Sequence, residues 1–199
     1  PWICHGFEAL MNVSEMRLAG RHNLANGLAA LALGHAAGLA FEPMLSTLRS
    51  FRGLPHRCQQ VAEIGGVRYV DDSKGTNVGA TQAALVGLGD GENLVLLAGG
   101  QGKGADFSQL REPVSRHCKL LVLFGEDAGL LETSLEGCAP VIRADSLEGA
   151  VKIAVDQARR GDTVLLSPAC ASLDMFSSYV ARGEAFQAAV QAIAGVAHD

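Results

Sequence analysis

Short apolar runs without polar alternation recur through the latter half of the chain, at residues 94–98, 120–124, 141–142 and 163–166. Amphipathic helical patterns at residues 107–117, 128–135 and 147–159 separate them. A strand that is apolar at every position is buried on both faces, and such strands alternating with helices imply a mostly parallel sheet covered on both sides. Residues 59–64 and 67–70, joined by Gly65-Gly66, add one antiparallel hairpin, because paired glycines supply the positive φ angles of a tight turn. The expected fold is α/β: a Rossmann-like, mostly parallel sheet flanked by helices, with one antiparallel hairpin. Helical patterns at residues 78–88 and 183–194 complete it.

Upstream the texture differs. Residues 7–10 and 16–18 read as short strands, residues 20–39 as a long helix and residues 43–51 as a second. Gly53-Leu54-Pro55 breaks that pattern, which places a boundary between residues 1–53 and 54–199; the first part reads as the remnant of a second α/β domain. The Ala, Gly and Leu-rich run at residues 24–41 is interrupted by Asn26 and His35, so a buried helix is expected rather than a membrane span. No signal peptide opens the chain and its first residue is Pro1, the pattern of a fragment.

A net charge of -5 gives no cationic footprint for nucleic acid or an anionic membrane, although small nucleotides remain open as ligands. Cys4, Cys58, Cys118, Cys138 and Cys170 show no Cys-x-x-Cys spacing, and the six histidines show no His-x-x-x-His pair. Neither a disulfide framework nor a metal cage is expected, and a reducing cytoplasm suits such cysteines. The expectation is a cytoplasmic monomer with no metal ligands of its own.

Chemistry concentrates where strands end. Asp71-Asp72-Ser73-Lys74-Gly75-Thr76-Asn77 lies between a strand and a helix, and in open α/β sheets ligands bind beyond the carboxyl ends of strands. Gly99-Gly100-Gln101-Gly102-Lys103-Gly104 follows another strand. It matches neither a Walker A loop nor a dinucleotide fingerprint, and reads equally as an anion-binding loop or as a tight turn with a solvated lysine. The loop from Ser167 to Phe176 lacks a nucleophile elbow. Ser172 and Asp174 read as helix caps there, Cys170 as a small buried residue, and Tyr179, Arg182, Gly183 and Phe186 as an ordered turn after it. Asn23 and Asn26, three apart near a helix start, serve either as caps or as amides against a planar heterocycle such as adenine. His56-Arg57 is either a surface basic pair or, with the Asp72 carboxylate, a hinge group for a ribose and its phosphates.

Taken together, Gly20-Arg21-His22-Asn23-Leu24-Ala25-Asn26, Gly53-Leu54-Pro55-His56-Arg57, Asp71-Asp72-Ser73-Lys74-Gly75-Thr76-Asn77, Gly99-Gly100-Gln101-Gly102-Lys103 and the segment Leu166-Ser167-Pro168-Ala169-Cys170-Ala171-Ser172-Leu173-Asp174-Met175-Phe176 resemble the Mur ligase family. The Asp-Ser-Lys-x-Thr-Asn and Ser-Pro-Ala-Cys-Ala-Ser segments resemble its D-glutamate-adding branch. That resemblance implies an ATP-dependent amide ligase of peptidoglycan synthesis, which joins D-glutamate to UDP-N-acetylmuramoyl-L-alanine through an acyl phosphate with the help of Mg2+. It implies ATP contacts from Asn23, Asn26, Arg57 and Asp72. It also implies D-glutamate contacts from Lys74, Thr76, Lys103, Ser172 and Tyr179, the last standing where a phenylalanine is usual. Residues 1–53 resemble the tail of the family's central ATPase domain and residues 54–199 its amino-acid-binding domain. No residue of this chain is assigned a catalytic role, and a piece of this extent is expected to be inactive alone, with ATP favouring closure about the hinge at Leu54 in the complete enzyme. The rival readings are a sister ligase for another amino acid, a non-catalytic amino-acid-binding module and a nicotinamide-dependent dehydrogenase.

Overall fold

The computed structural model describes residues 1–18, 20–51 and 53–196, and for residues 21, 22 and 194–196 the backbone alone. His198, counted among the histidines above, lies outside the described residues. The chain divides into two compact units, Pro1–Gly53 and Leu54–Asp199.

Within the first unit β1 (Trp2–His5) pairs antiparallel with β2 (Glu8–Asn12), and α1 (Arg21–Ala36) and α2 (Phe41–Ser50) follow. Ile3, Met11, Leu31 and Leu45 form its buried core. Two expectations need correction. Residues 16–18, read as a strand, form no strand, because Met16 is the C-cap of a single 3-10 turn at Val13–Glu15. Neither asparagine is the N-cap residue: α1 starts at Arg21 with Gly20 at the N-cap, which puts Asn23 at the third helical position and Asn26 nearly a turn further in. No helix among the described residues is long and apolar enough to cross a membrane.

The second unit carries a six-stranded sheet in the order β3-β4-β8-β5-β6-β7. β3 (Gln59–Ile64) and β4 (Val67–Asp71) form the hairpin, turning through Gly65 and Gly66 at φ 60° and 79°, and every other pairing is parallel. From β4 the chain crosses by α3 (Val78–Leu88) to β5 (Leu94–Gly99). It then steps outward through a 3-10 turn and α4 (Arg111–His117) to β6 (Cys118–Phe124), and through α5 (Ala128–Ser134) to β7 (Val141–Arg143). It returns by α6 (Leu147–Gln157) to β8 (Thr163–Leu166), which lies between β4 and β5, and ends in α7 (Tyr179–Val196).

Strand periodicity divides the core. Leu94, Leu96 and Ala98 of β5 face α3, α4 and α5, whereas Val95 and Leu97 face α6 and α7. Each leucine buried this way stabilises the fold by roughly 1.5–3 kcal/mol, which makes the central strands the rigid base of the unit. The last helix was expected from residue 183. It begins four residues earlier because Ser178 Oγ accepts the Ala181 N–H at 3.1 Å, an N-cap bond, so the supposed turn at residues 179–186 is helical.

Candidate functional site at the carboxyl ends of the strands

β4, β8 and β5 are neighbours with parallel direction, so their exit loops emerge side by side. Inserting β8 between β4 and β5 makes this the point where chain direction across the sheet reverses, the usual place for a crevice. Backbone hydrogen bonds join the three loops. Asp72 N–H donates to Leu166 O at 2.8 Å, Ala169 N–H to Gly75 O at 2.9 Å and Gly99 N–H to Pro168 O at 3.0 Å, while Gln101 and Ala171 exchange two bonds of 2.9 Å. Gly99 has φ 141°, and a Cβ on it would collide with the carbonyl oxygen of Phe124, so only glycine fits.

Arg182 sits beneath these loops with no exposed surface. Its Nε donates to Ser73 Oγ at 3.1 Å, Nη2 to Ser73 O at 3.0 Å and to Cys170 O at 3.1 Å, and Nη1 to Gly99 O at 3.4 Å. Among the described residues it has no carboxylate partner, and burial pulls its pKa down to about 10. One guanidinium thereby binds the exits of all three strands. Nothing local in the sequence signalled this, since an arginine in a helix is ordinarily solvated.

Asp71 and Asp72 turn opposite ways, as consecutive residues leaving a strand do. Asp71, wholly buried, accepts from His56 Nδ1 at 2.8 Å and Gln187 Nε2 at 2.7 Å on Oδ2, and from Ser73 N–H at 2.9 Å on Oδ1. Asp72 accepts Cys58 N–H at 3.1 Å and Ser167 Oγ–H at 2.7 Å. Burial outweighs these bonds and pushes its carboxyl up to about 6. His56 is 7% exposed, which corrects the reading of His56-Arg57 as a surface pair; Arg57 alone is exposed. The alternation that aims a strand's exit residues to opposite sides could have flagged Asp71, but only tertiary contact reveals its partners.

Lys74 is half-buried, with Nζ 4.0 Å from the centre of the Tyr179 ring, a cation–π contact that orients the ammonium. Ser73 Oγ donates to Tyr179 O at 2.7 Å. Thr76 is half-buried one residue before Asn77, whose side chain caps α3 by accepting Ala80 N–H at 3.0 Å. Lys103 is exposed at φ 54° and forms no ion pair among the described residues; Asp127 Oδ2 accepts the neighbouring Gly102 N–H at 2.7 Å and holds that loop. Ser172 is buried. It does not cap a helix through its side chain; its carbonyl accepts Met175 and Phe176 N–H. Asp174 is no helix cap either, because Oδ2 reaches across to Glu126 N–H at 2.9 Å. Cys170 is buried as expected, and burial raises its thiol to about 12. The structure thus joins Arg57, Asp72, Lys74 and Tyr179 through the 56–58 segment and the loop after β4. Lys103 and Ser172 stand on the two loops paired by Gln101 and Ala171. Asn23, half-buried, and Asn26, exposed, belong to the first unit.

No cluster of three or more His, Cys, Asp or Glu side chains suited to a metal ion occurs among the described residues, and Asp71 and Asp72 are turned to internal donors. The described residues thus form no all-protein cage for Mg2+.

The family model described as Mur ligase, glutamate ligase domain, matches residues 56–170. The UDP-N-acetylmuramoylalanine–D-glutamate ligase of Pseudomonas aeruginosa is 56% identical over 196 residues, covering 97% of this chain and 44% of that protein. Its counterpart in Nitrosococcus oceani is 53% identical over 192 residues, covering 96% and 42%. The chain thus spans less than half the length of the curated relatives it matches. In fold it is similar to UDP-N-acetylmuramate-alanine ligase from Thermotoga maritima, with a TM-score of 0.63 at 17% identity over 89% of this chain and 39% of that one. It is also similar to Mycobacterium tuberculosis folylpolyglutamate synthase complexed with ADP, with a TM-score of 0.64 at 18% identity over 87% and 41%. A match that spans residues 56–170, more than half of the chain, and carries the strand-exit loops after β4 and β5 with the start of the one after β8, makes this chain a member of the Mur ligase family.

Proposed function

We propose that this chain is the amino-acid-binding part, with the end of the preceding ATPase domain, of a ligase that joins D-glutamate to UDP-N-acetylmuramoyl-L-alanine in peptidoglycan synthesis. The observation that carries the reading is the 56% identity to a D-glutamate ligase over 97% of the chain. In this reaction ATP phosphorylates the alanine carboxylate, and the amine of D-glutamate displaces phosphate from the acyl phosphate.

The roles fall to side chains already described. D-glutamate brings two carboxylates, which pair with the ammonium groups of Lys74 and Lys103 and with the hydroxyls of Thr76 and Ser172. The Tyr179 ring keeps Lys74 in one orientation, so little side-chain entropy is lost on binding. Arg57, exposed on a fixed backbone, takes phosphate oxygens, and Asp72, buried, turns to the ribose hydroxyls only the acceptor capacity that its bonds to Cys58 and Ser167 leave free. The contacts of Asn23 and Asn26 with adenine rest on the family resemblance. Mg2+ neutralises phosphate charge in such reactions. The domain assignment, the cytoplasmic location and a monomeric state belong to the same proposal, as does the need for the rest of the ligase for turnover.

The test is phosphate release by the longer protein, run beside this chain, with ATP, Mg2+, the UDP-muramoyl-alanine acceptor and D-glutamate, L-glutamate or L-lysine. Release with D-glutamate alone, and by the longer protein alone, supports the proposal. Turnover with another amino acid discards the substrate, and silence in every lane discards the ligase reading.

A further inference from the structure

Arg57 lies between two residues in an unusual backbone conformation. His56 has φ 60° and Cys58 φ 44°, a left-handed region that residues with side chains rarely adopt unless their surroundings impose it. Both are tied to the loop after β4. The carbonyl of His56 accepts Lys74 N–H at 3.0 Å, and Cys58 N–H donates to Asp72 Oδ1 at 3.1 Å. The amide of His56 also donates to Gln59 Oε1 at 3.2 Å.

The histidine ring is the anchor. A carboxylate only accepts, so Nδ1 carries the proton in its 2.8 Å bond to Asp71 Oδ2. Asp71 is itself immobilised by Gln187 and Ser73. Helix α7 closes on the ring from the other side: residue 183 is glycine, and a Cβ there would overlap His56 Nδ1, while the Tyr179 ring meets the imidazole edge-on at 6.2 Å. Glycine at position 56 would adopt φ 60° without steric cost. What glycine lacks is the ring, and the ring's only hydrogen bond among the described residues is the one to Asp71.

We propose that His56 is a positioning residue, whose Nδ1–H bond to Asp71 holds the 56–58 segment in place. It thereby fixes the backbone of Arg57 against that of Lys74. Resting on the roles proposed above for those two cations, it gives the group that meets nucleotide phosphate and the group that meets the amino-acid carboxylate one rigid frame. Either ligand then meets a cation already held in place.

Two substitutions separate the possibilities. His56→Gly keeps the backbone freedom and removes the bond. His56→Asn tolerates the left-handed conformation and places an amide N–H where Nδ1–H was, but has no counterpart of Nε2. In this chain, amide exchange of Lys74 and Cys58 is expected to accelerate at least about tenfold in H56G, with the central strands unchanged, and to return near the starting rate in H56N. In the longer ligase, KM for ATP and KM for D-glutamate are expected to rise together in H56G, and H56N to restore both. Unchanged exchange in H56G overturns the proposal, as does an H56N variant as impaired as H56G, which would make Nε2 the working atom. A longer protein that shows no ATP-dependent turnover even unmutated defeats the ligase reading, whereas the exchange rates still decide whether His56 fixes Arg57 and Lys74.

Discussion

Asp72→Asn tests the electrostatics of the site most directly. Burial lifts this carboxyl from its ordinary 3.8 to about 6, and a rise of about two pH units corresponds to about 3 kcal/mol spent on keeping Asp72 ionised at neutral pH. A raised acid makes the folded state bind more protons than the unfolded one. The penalty is therefore absent below about pH 4, grows as pH rises towards 6 and is constant above it. Asparagine removes it and keeps the local bonds. Its Oδ1 accepts Cys58 N–H, its Nδ2 donates to Ser167 Oγ, and Ser167 turns its own proton to Thr81 Oγ1, 3.1 Å away. One amide N–H is left without a given partner, at a cost of about 1–2 kcal/mol. The net gain at pH 7 is then about 1–2 kcal/mol, or a Tm higher by about 2–6 °C. Calorimetric scans of both proteins at pH 7 and pH 4 decide the matter. A stabilisation at pH 7 that turns into a loss of about 1 kcal/mol at pH 4, where only the unpaired N–H still counts, is expected, together with weaker ATP use by the longer ligase. A Tm difference independent of pH, or a loss of stability at pH 7, would refute the reasoning.

Other outcomes follow from the same geometry. Arg182→Met strips donors from Ser73 O, Ser73 Oγ, Cys170 O and Gly99 O, and urea unfolding should show a loss of about 3–5 kcal/mol. Gly99→Ala forces a Cβ into the Phe124 carbonyl at φ 141° and should cost more than about 3 kcal/mol or prevent folding, read by yield and circular dichroism. Tyr179→Phe keeps the ring under Lys74 and the carbonyl that accepts Ser73 Oγ–H. KM for D-glutamate should change less than about threefold, whereas Tyr179→Ala should raise it about tenfold. With a thiol reagent at pH 8, exposed Cys4 should react at once, while Cys118 and Cys170, buried with thiols raised to about 12, should wait for unfolding.

Much of the candidate site was legible because its chemistry is local. The apolar runs placed β5, β6 and β8, Gly65-Gly66 placed the hairpin turn, and the crowded polar segment after β4 announced a strand exit. The errors arose where distant residues decide. Met16 to Leu18 has strand-like composition but no pairing partner, and Ser178 rather than Gly183 sets the start of α7. His56 looked like half of a surface basic pair because its partner, Asp71, is fifteen positions away on the far strand of a hairpin.

By itself, then, the sequence determined, for residues 54–199, the element types, the order of strands and helices along the chain and the three loops that bear polar groups, whereas in residues 1–53 it missed the strand Trp2–His5. Periodicity and turn chemistry act over a few residues, and these features need no more than that. Only the tertiary structure decided that β8 returns between β4 and β5, which brings the loops together, and that Arg182, His56 and Asp71 hold them. Hydrogen bonds between residues as far apart as Ser73 and Arg182 exist only once both faces of the sheet are covered. A guanidinium and a carboxylate stay buried only where the fold brings backbone and side-chain partners to them.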